Sequence, residues 1–208
     1  MKLLVLGATG GTGMEIVRQA IDGGHAVTAL VRNRAPLKVF QDRVAIRQGN
    51  LLSSAELERA IAGHDAILSG FGPRVPVSSA DANLMREFAA ALTTAMTAAG
   101  VKRVVVVSVA FLFKDSIVPP AYILGRMFFP NVVADAGAME SVFANSELDW
   151  TIVRPPRLTD KPRTSKYRIR EGHLPGLGFT ISRADVADFV LGSVENRSTV
   201  HKVFGVSN

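Results

Sequence analysis

The sequence predicts an α/β protein, a single domain built on a doubly wound parallel sheet with helices on both faces. Three observations predict it. Short apolar runs alternate with amphipathic helical patterns along the chain. The first run ends directly in a glycine-rich turn, "GATGGTG". The run "RVVVV" at 103–107 is apolar without alternation, as a central parallel strand covered on both faces requires.

Each element follows in order. "KLLVLG" is a strand, and residues 12–22 are a helix with Met14, Val17 and Ile21 on one face, closed by Gly23 and Gly24. "AVTALVR" and "VAIRQGN" are the second and third strands. Ser53 and Glu56 form a capping box that opens a helix over 53–62. "DAILSGF" is the fourth strand, 79–99 an alanine-rich helix ended by Gly100, and "RVVVVSVAF" the fifth strand. The pattern loosens over 111–133, where Pro119 and Pro120 break the register, and a loop or lid is expected there. A helix over 136–145, a sixth strand in "LDWTIVRP", a helix capped by Ser182 and Asp185 running to Val194, and a last strand "HKVFGV" complete the domain. A second lid or substrate region is expected over 157–181.

At 208 residues the chain suits one domain, and 48% hydrophobic with 20% charged content marks an ordinary globular protein. The absence of cysteine excludes disulfides, thiolate metal sites and cysteine nucleophiles, and fits a reducing compartment. The first apolar run is too short for a secretory signal, and no stretch reaches the ~18 apolar residues of a membrane helix. A cytoplasmic protein without a membrane partner or a metal is expected. The net charge of +6 favours anions. Within the run from Arg154 through Arg157, Lys161, Arg163, Lys166 and Arg168 to Arg170, Asp160 is the single acid. The basic residues are either a solvated surface or a patch for an anionic substrate. No helix-turn-helix, zinc-finger or aromatic RNA-binding signature is present, so nucleic acid is not an expected partner.

The glycine turn carries the chemistry. It sits between a strand and a helix, the placement of a Rossmann dinucleotide fingerprint. Gly7 permits the tight turn, Gly10 lets backbone approach a pyrophosphate, and Gly13 permits close helix–strand packing. The helix N-terminus, including Gly11, offers unpaired N–H groups to the anion. Thr9 and Thr12 add hydroxyl donors. The second strand ends in Arg32, with Arg34 beyond, where an NAD-specific site usually carries Asp or Glu. A guanidinium binds a 2′-phosphate that a carboxylate would repel. NADP(H) is therefore favoured over NAD(H). Asn50 and Leu51 after the third strand and Gly72 after the fourth complete the candidate coenzyme groove.

"GATGGTG", "ALVRN", "GNLL", "VVVVSVAFLF", "VPP" and "LDWTIVRPPRLTD" together resemble the atypical short-chain dehydrogenase/reductase superfamily. Within it they resemble the NAD(P)H-binding group of the biliverdin-IXβ/flavin reductases and the NmrA-like proteins. The resemblance covers nearly the whole chain. It implies that Pro155, Pro156, Arg157 and Leu158 lie near the nicotinamide. It also shows departures. The serine pair usual after the fifth strand is Ser108-Val109 here, and the usual lysine of the following helix has no counterpart. Ser108 would bond a carboxamide or substrate, or be a strand-end hydroxyl. Glu140 is the nearest ionisable residue on that helix, either a site residue or a surface charge.

Tyr122 and Arg126 have the spacing of the superfamily's Tyr-x-x-x-Lys relay, with arginine in place of lysine. Arginine does not deprotonate and cannot relay protons as lysine does. Tyr122 is therefore read as part of a lid, with Phe111, Phe113, Phe128 and Phe129 as aromatic surface over a substrate or as core. Hydride transfer to a planar acceptor needs no such relay, because the coenzyme carries the chemistry and the protein supplies orientation. Two readings result: an NADPH-dependent reductase of a planar small-molecule acceptor, anionic if the basic patch holds it, or an NmrA-like sensor of NAD(P)(H) without turnover. The oligomeric state is left open.

Overall fold

The computed structural model describes residues 1–40, 42–72, 83–113 and 130–208. The strands are β1 (Lys2–Leu6), β2 (Ala26–Val31), β3 (Val44–Gln48), β4 (Ala66–Ser69), β5 (Arg103–Val107), β6 (Asp149–Arg154), β7 (Arg157–Thr159), β8 (Arg168–Glu171), β9 (Thr180–Ser182) and β10 (Lys202–Ser207). The helices are α1 (Gly11–Asp22), α2 (Ser54–Ile61), α3 (Leu84–Ala99), α4 (Pro130–Ala144) and α5 (Arg183–Glu195).

Eight strands form one sheet in the order β3-β2-β1-β4-β5-β6-β10-β8. All neighbours are parallel except β8, which runs antiparallel to β10 and closes one edge. β7 and β9 pair separately in parallel. The strand order reverses between β1 and β4, and a crevice for ligands is expected at the carboxyl ends on either side of that point. This is the doubly wound sheet read from the sequence.

Side-chain alternation divides the core in two. Leu3, Val5, Val105, Val107 and Val153 face α1 and α5, while Leu4, Leu6, Val104, Val106 and Ile152 face α2, α3 and α4. β1 and β5 are thus buried on both faces, which is why their sequences lack alternation. α1 packs Ile16, Val17 and Ala20 into the first cluster, with Met14 and Ile21 half-buried beside them.

Boundaries differ from the sequence reading where backbone bonds leave the ladder. The fifth strand stops at Val107 rather than Phe111; Ala110 donates to Pro155 O and the chain enters a 3-10 turn at Ala110–Leu112. α4 begins at Pro130, six residues before the expected start, because proline is favoured in a first helical turn. The span 157–181, expected as a lid or substrate region, holds β7, β8 and the start of β9. At α2, Ser53 Oγ accepts Glu56 N–H, but the Glu56 carboxylate takes Asn50 N–H, so the reciprocal half of the capping box is shifted. No described helix is long and apolar enough to cross a membrane.

Candidate functional site

The chain leaves β1 on Gly7, at φ +69°. A β-carbon here would lie 2.6 Å from the backbone nitrogen of Phe71, so a left-handed conformation and lack of room both demand glycine. Gly10 N–H donates to Gly7 O at 3.0 Å and closes the turn. A β-carbon on Gly13 would lie 2.1 Å from Gly7 O, so α1 rests directly on the turn. Gly10 is different. It is exposed, and a β-carbon on it would meet nothing closer than 3.4 Å. No side chain caps α1 and its first turn holds no acid. Its N–H groups and partial positive charge remain for an anion.

Beside this turn lies a cavity of about 420 Å³. Gly7, Ala8 and Thr9 form one end, Arg32 and Asn33 another, and Leu30, Pro36, Leu51 and Phe71 supply apolar wall. Of the predicted residues, Gly7, Thr9, Arg32 and Leu51 meet here. Arg34 instead lines a neighbouring cavity of about 330 Å³ with Arg47, Gln48, Glu56 and Arg59; Leu30 belongs to both walls. Arg32 and Arg34 therefore line different but adjoining spaces. Asn50 does not line the cavity: its N–H donates to Glu56 and its Oδ1 accepts Leu52 N–H. Thr12 is buried, and Gly72 is exposed, with no described atom within 4 Å of where its β-carbon would stand.

Gly11 has a neighbour the sequence did not suggest. A β-carbon on it would lie 2.6 Å from Arg183 Cδ, so the Arg183 stem lies over the first residue of α1. Its guanidinium pairs with Asp160 at 2.5 Å. The capping pattern at Ser182 located the start of α5, but nothing local connects that helix to the glycine turn.

The carboxyl ends of β5 and β6 hold a second polar unit. Ser108 N–H donates to Val153 O, fixing the residue between the two strands. Ser108 Oγ donates to Glu140 Oε1 at 2.5 Å. Arg154 donates to the same carboxylate through Nε, at 3.0 and 3.2 Å, and through Nη2, at 2.5 Å. Glu140 is 7% exposed, which removes the reading of a surface charge. The Arg154 guanidinium lies 4.6 Å from the centroid of the Phe113 ring. Phe113 is buried against Ala110 and Leu174, a structural support under the arginine rather than an open substrate surface. Phe111 is half-buried on the 3-10 turn. Pro155 is buried, Pro156 half-buried, and Arg157 exposed on β7. The sequence singled out Ser108 and Glu140 separately, but nothing local in it joins them to Arg154.

The basic run is also partly dissolved by folding. Arg154 is spent on Glu140, Arg163 pairs with Asp188 at 3.5 Å, and Arg168 donates to the Gly176 and Asn208 carbonyls. Asp160, the expected acid, belongs to Arg183. Tyr167, in the same run, donates to Asp188 on the α5 side. Tyr122, Arg126, Phe128 and Phe129 lie outside the described residues.

The turn, the uncapped helix and the cavity with one cationic end fit a dinucleotide, and comparison with known proteins agrees. Residues 7–197 match the NAD(P)H-binding family. The Photosystem II assembly factor Ycf39 of Synechocystis is 31% identical over 157 residues, 74% of this chain but 44% of that protein, so the chain spans less than half of that relative. A putative NAD-dependent epimerase/dehydratase from Bacillus halodurans superposes with a TM-score of 0.86 at 26% identity, covering 100% of this chain and 94% of that one. A short-chain dehydrogenase/reductase from Veillonella parvula, solved in complex with NADP, shares the fold with a TM-score of 0.82 at 18% identity, over 100% and 94% of the chains.

Proposed function

The chain belongs to the NAD(P)H-binding family, and on that premise we propose that it is an NADPH-dependent reductase of a planar acceptor of the flavin kind. The observation that carries the coenzyme assignment is the cavity running from the glycine turn to Arg32. Gly7, Thr9, Gly10 and the first turn of α1 would hold the pyrophosphate through N–H and hydroxyl donors. Leu51, Pro36 and Phe71 would flank the adenine, and Arg32 would pair with the 2′-phosphate.

A coenzyme held there would supply a hydride, and a flavin acceptor would take it up with one proton from water, leaving dihydroflavin and oxidised coenzyme. The chain's own contribution is placement. Ser108, Pro155 and Pro156, at the ends of β5 and β6, would form the wall of the redox end, with Phe111 beside the acceptor. No described tyrosine or lysine stands at these strand ends to relay a proton, and hydride transfer between stacked rings does not need one.

Steady-state oxidation of NADPH in the presence of FMN, riboflavin or a quinone tests the reading. Turnover with a flavin is expected. Coenzyme binding without turnover of any acceptor would refute the reductase and leave the sensor of the same family standing.

A further inference from the structure

The second cavity, of about 330 Å³, opens between α2 and the β3 edge of the sheet. The sheet register places its parts. Leu30 and Arg47 are partners on β2 and β3, so both side chains leave the same face, the one that α2 covers. Arg47 Nη1 donates to Arg59 O at 3.1 Å and Ala60 O at 3.5 Å, in the last turn of α2. One end of this guanidinium is thus held, while Nε and Nη2 make no hydrogen bond to a described residue. Leu30 and Ala60, both buried, supply apolar wall. Arg34 and Arg59, exposed like Arg47, bring two more guanidiniums to the same lining.

These charges are uncompensated. Other arginines of the chain pair with acids, but Arg34, Arg47 and Arg59 have no carboxylate within ion-pair distance among the described residues. Glu56 is the only acid of the described lining, and its carboxylate takes Asn50 N–H at 2.9 Å. Three guanidiniums against one carboxylate leave a surplus of two positive charges. Like charges gathered without a counter-ion repel, and an anion among them relieves the repulsion.

We propose that this cavity is a second ligand site, separate from the coenzyme groove, for a small phosphomonoester. The phosphate dianion matches the surplus of charge and accepts hydrogen bonds from Arg34, Arg47 and Arg59. The organic body lies on Leu30 and Ala60. The volume is at the lower end of small-molecule sites, which suits a compact ester and not a second dinucleotide. The two cavities adjoin: Leu30 walls both, and Gln48, on this lining, donates to Arg32 O at 3.2 Å. A dianion here therefore opposes a 2′-phosphate at Arg32 without displacing it. The inference goes beyond the reductase reading and does not depend on it, since it concerns binding alone.

Calorimetric titration of the full chain at pH 8 tests it, with phenyl phosphate, benzenesulfonate and inorganic phosphate as probes. Phenyl phosphate is a dianion there, above a second pKa of about 6; benzenesulfonate is the monoanion on the same ring, and inorganic phosphate lacks the ring. Phenyl phosphate should bind with a Kd of about 1 mM or below. It should exceed benzenesulfonate by roughly tenfold and inorganic phosphate by about threefold or more. Arg34→Ser and Arg59→Ser should each weaken it at least about fivefold. Neither side chain holds another described part of the protein, and thermal unfolding checks that the fold persists. Arg170→Ala, on β8 at the opposite edge of the sheet, should change the affinity by less than about twofold. Saturating NADP⁺, which on the proposed reading fills the glycine turn and Arg32, should raise the Kd only to a plateau. A Kd that keeps rising in proportion to NADP⁺ would show that the coenzyme itself fills the cavity, and would overturn the proposal. So would equal binding of phenyl phosphate and benzenesulfonate, or an affinity that survives both Arg34→Ser and Arg59→Ser. If NADP⁺ does not bind, the coenzyme assignment falls, and the two arginine variants of the free chain still decide this site.

Discussion

Two alanine substitutions in the glycine turn separate packing from ligand approach. At Gly13 a new β-carbon would lie 2.1 Å from Gly7 O, 1.3 Å short of the 3.4 Å at which ordinary contact begins. Neither side can yield easily. Gly7 is held from behind by the Phe71 and Gly70 backbone, and α1 is packed against α5 through the core. With neither side free to yield, the cost falls at the upper end of the usual range for overpacking, about 3 kcal/mol, which in a domain of this size lowers the melting temperature by roughly 6–12 °C. At Gly10 the nearest atom is 3.4 Å away and the backbone, at φ −81° and ψ 160°, suits any residue. Gly10→Ala should lose only the helix-cap preference, about 1 kcal/mol. It should nevertheless weaken NADPH binding by roughly tenfold, because the methyl stands where a pyrophosphate must come close to backbone. Differential scanning fluorimetry and fluorescence titration with NADPH measure the two effects. A Gly13→Ala protein melting within about 2 °C of the parent would refute the packing argument. A Gly10→Ala protein binding NADPH at parental affinity would refute the placement of the pyrophosphate.

Other substitutions address separate parts of the molecule. Arg32→Asp should weaken NADPH at least tenfold while NADH changes less, and Arg34→Ser, on the neighbouring cavity, should have the smaller effect on the ratio; calorimetric titration with both coenzymes decides. Glu140→Ala strands a mostly buried guanidinium and should cost about 3–5 kcal/mol in urea unfolding, with part of the loss recovered when Arg154→Met is added. Burial pushes the Asp185 carboxyl up, but N–H groups of Thr164 and Ser165, the Asn208 amide and the Ser182 hydroxyl outweigh it and hold the pKa below the usual carboxylate range. Its stabilisation is therefore complete above the unfolded value of about 3.9 and is lost as pH falls through the lower folded one. Asp185→Asn should reduce stability at neutral pH and flatten its decline in acid, as read from urea midpoints across pH 3–7. Tyr122→Phe should change kcat by less than about threefold, since reduction of a stacked acceptor needs no tyrosine proton.

The parallel sheet was readable because its signals are local. β1 and β5 are continuous apolar runs, α1 follows a glycine turn, and Ser53 and Ser182 announce their helices by side chains that accept backbone N–H groups three residues on. The glycine turn carried its own meaning for the same reason: Gly7 and Gly13 are close in sequence and touch in space. What escaped depends on contacts between distant segments. Glu140 looks like any acid on a helix until β5 and β6 bring Ser108 and Arg154 to it. Arg183 reaches Gly11 only because α1 and α5 share one face of the sheet. Arg32 and Arg34 look alike in the sequence, and only the course of the chain beyond β2 sends them to different cavities. β8 was missed because an exposed edge strand has no buried face to impose alternation.

The strand order sets β2 and β5 three steps apart, with β1 and β4 between. At the usual spacing of about 4.8 Å per step, the end of β2 that precedes Arg32 stands some 14 Å from the end of β5 that precedes Ser108. Groups so separated, without shared partners, change binding free energies independently. On the proposed reading, coenzyme preference would be set at Arg32 and the redox end would be walled by Ser108, so that either could change while the other stays constant.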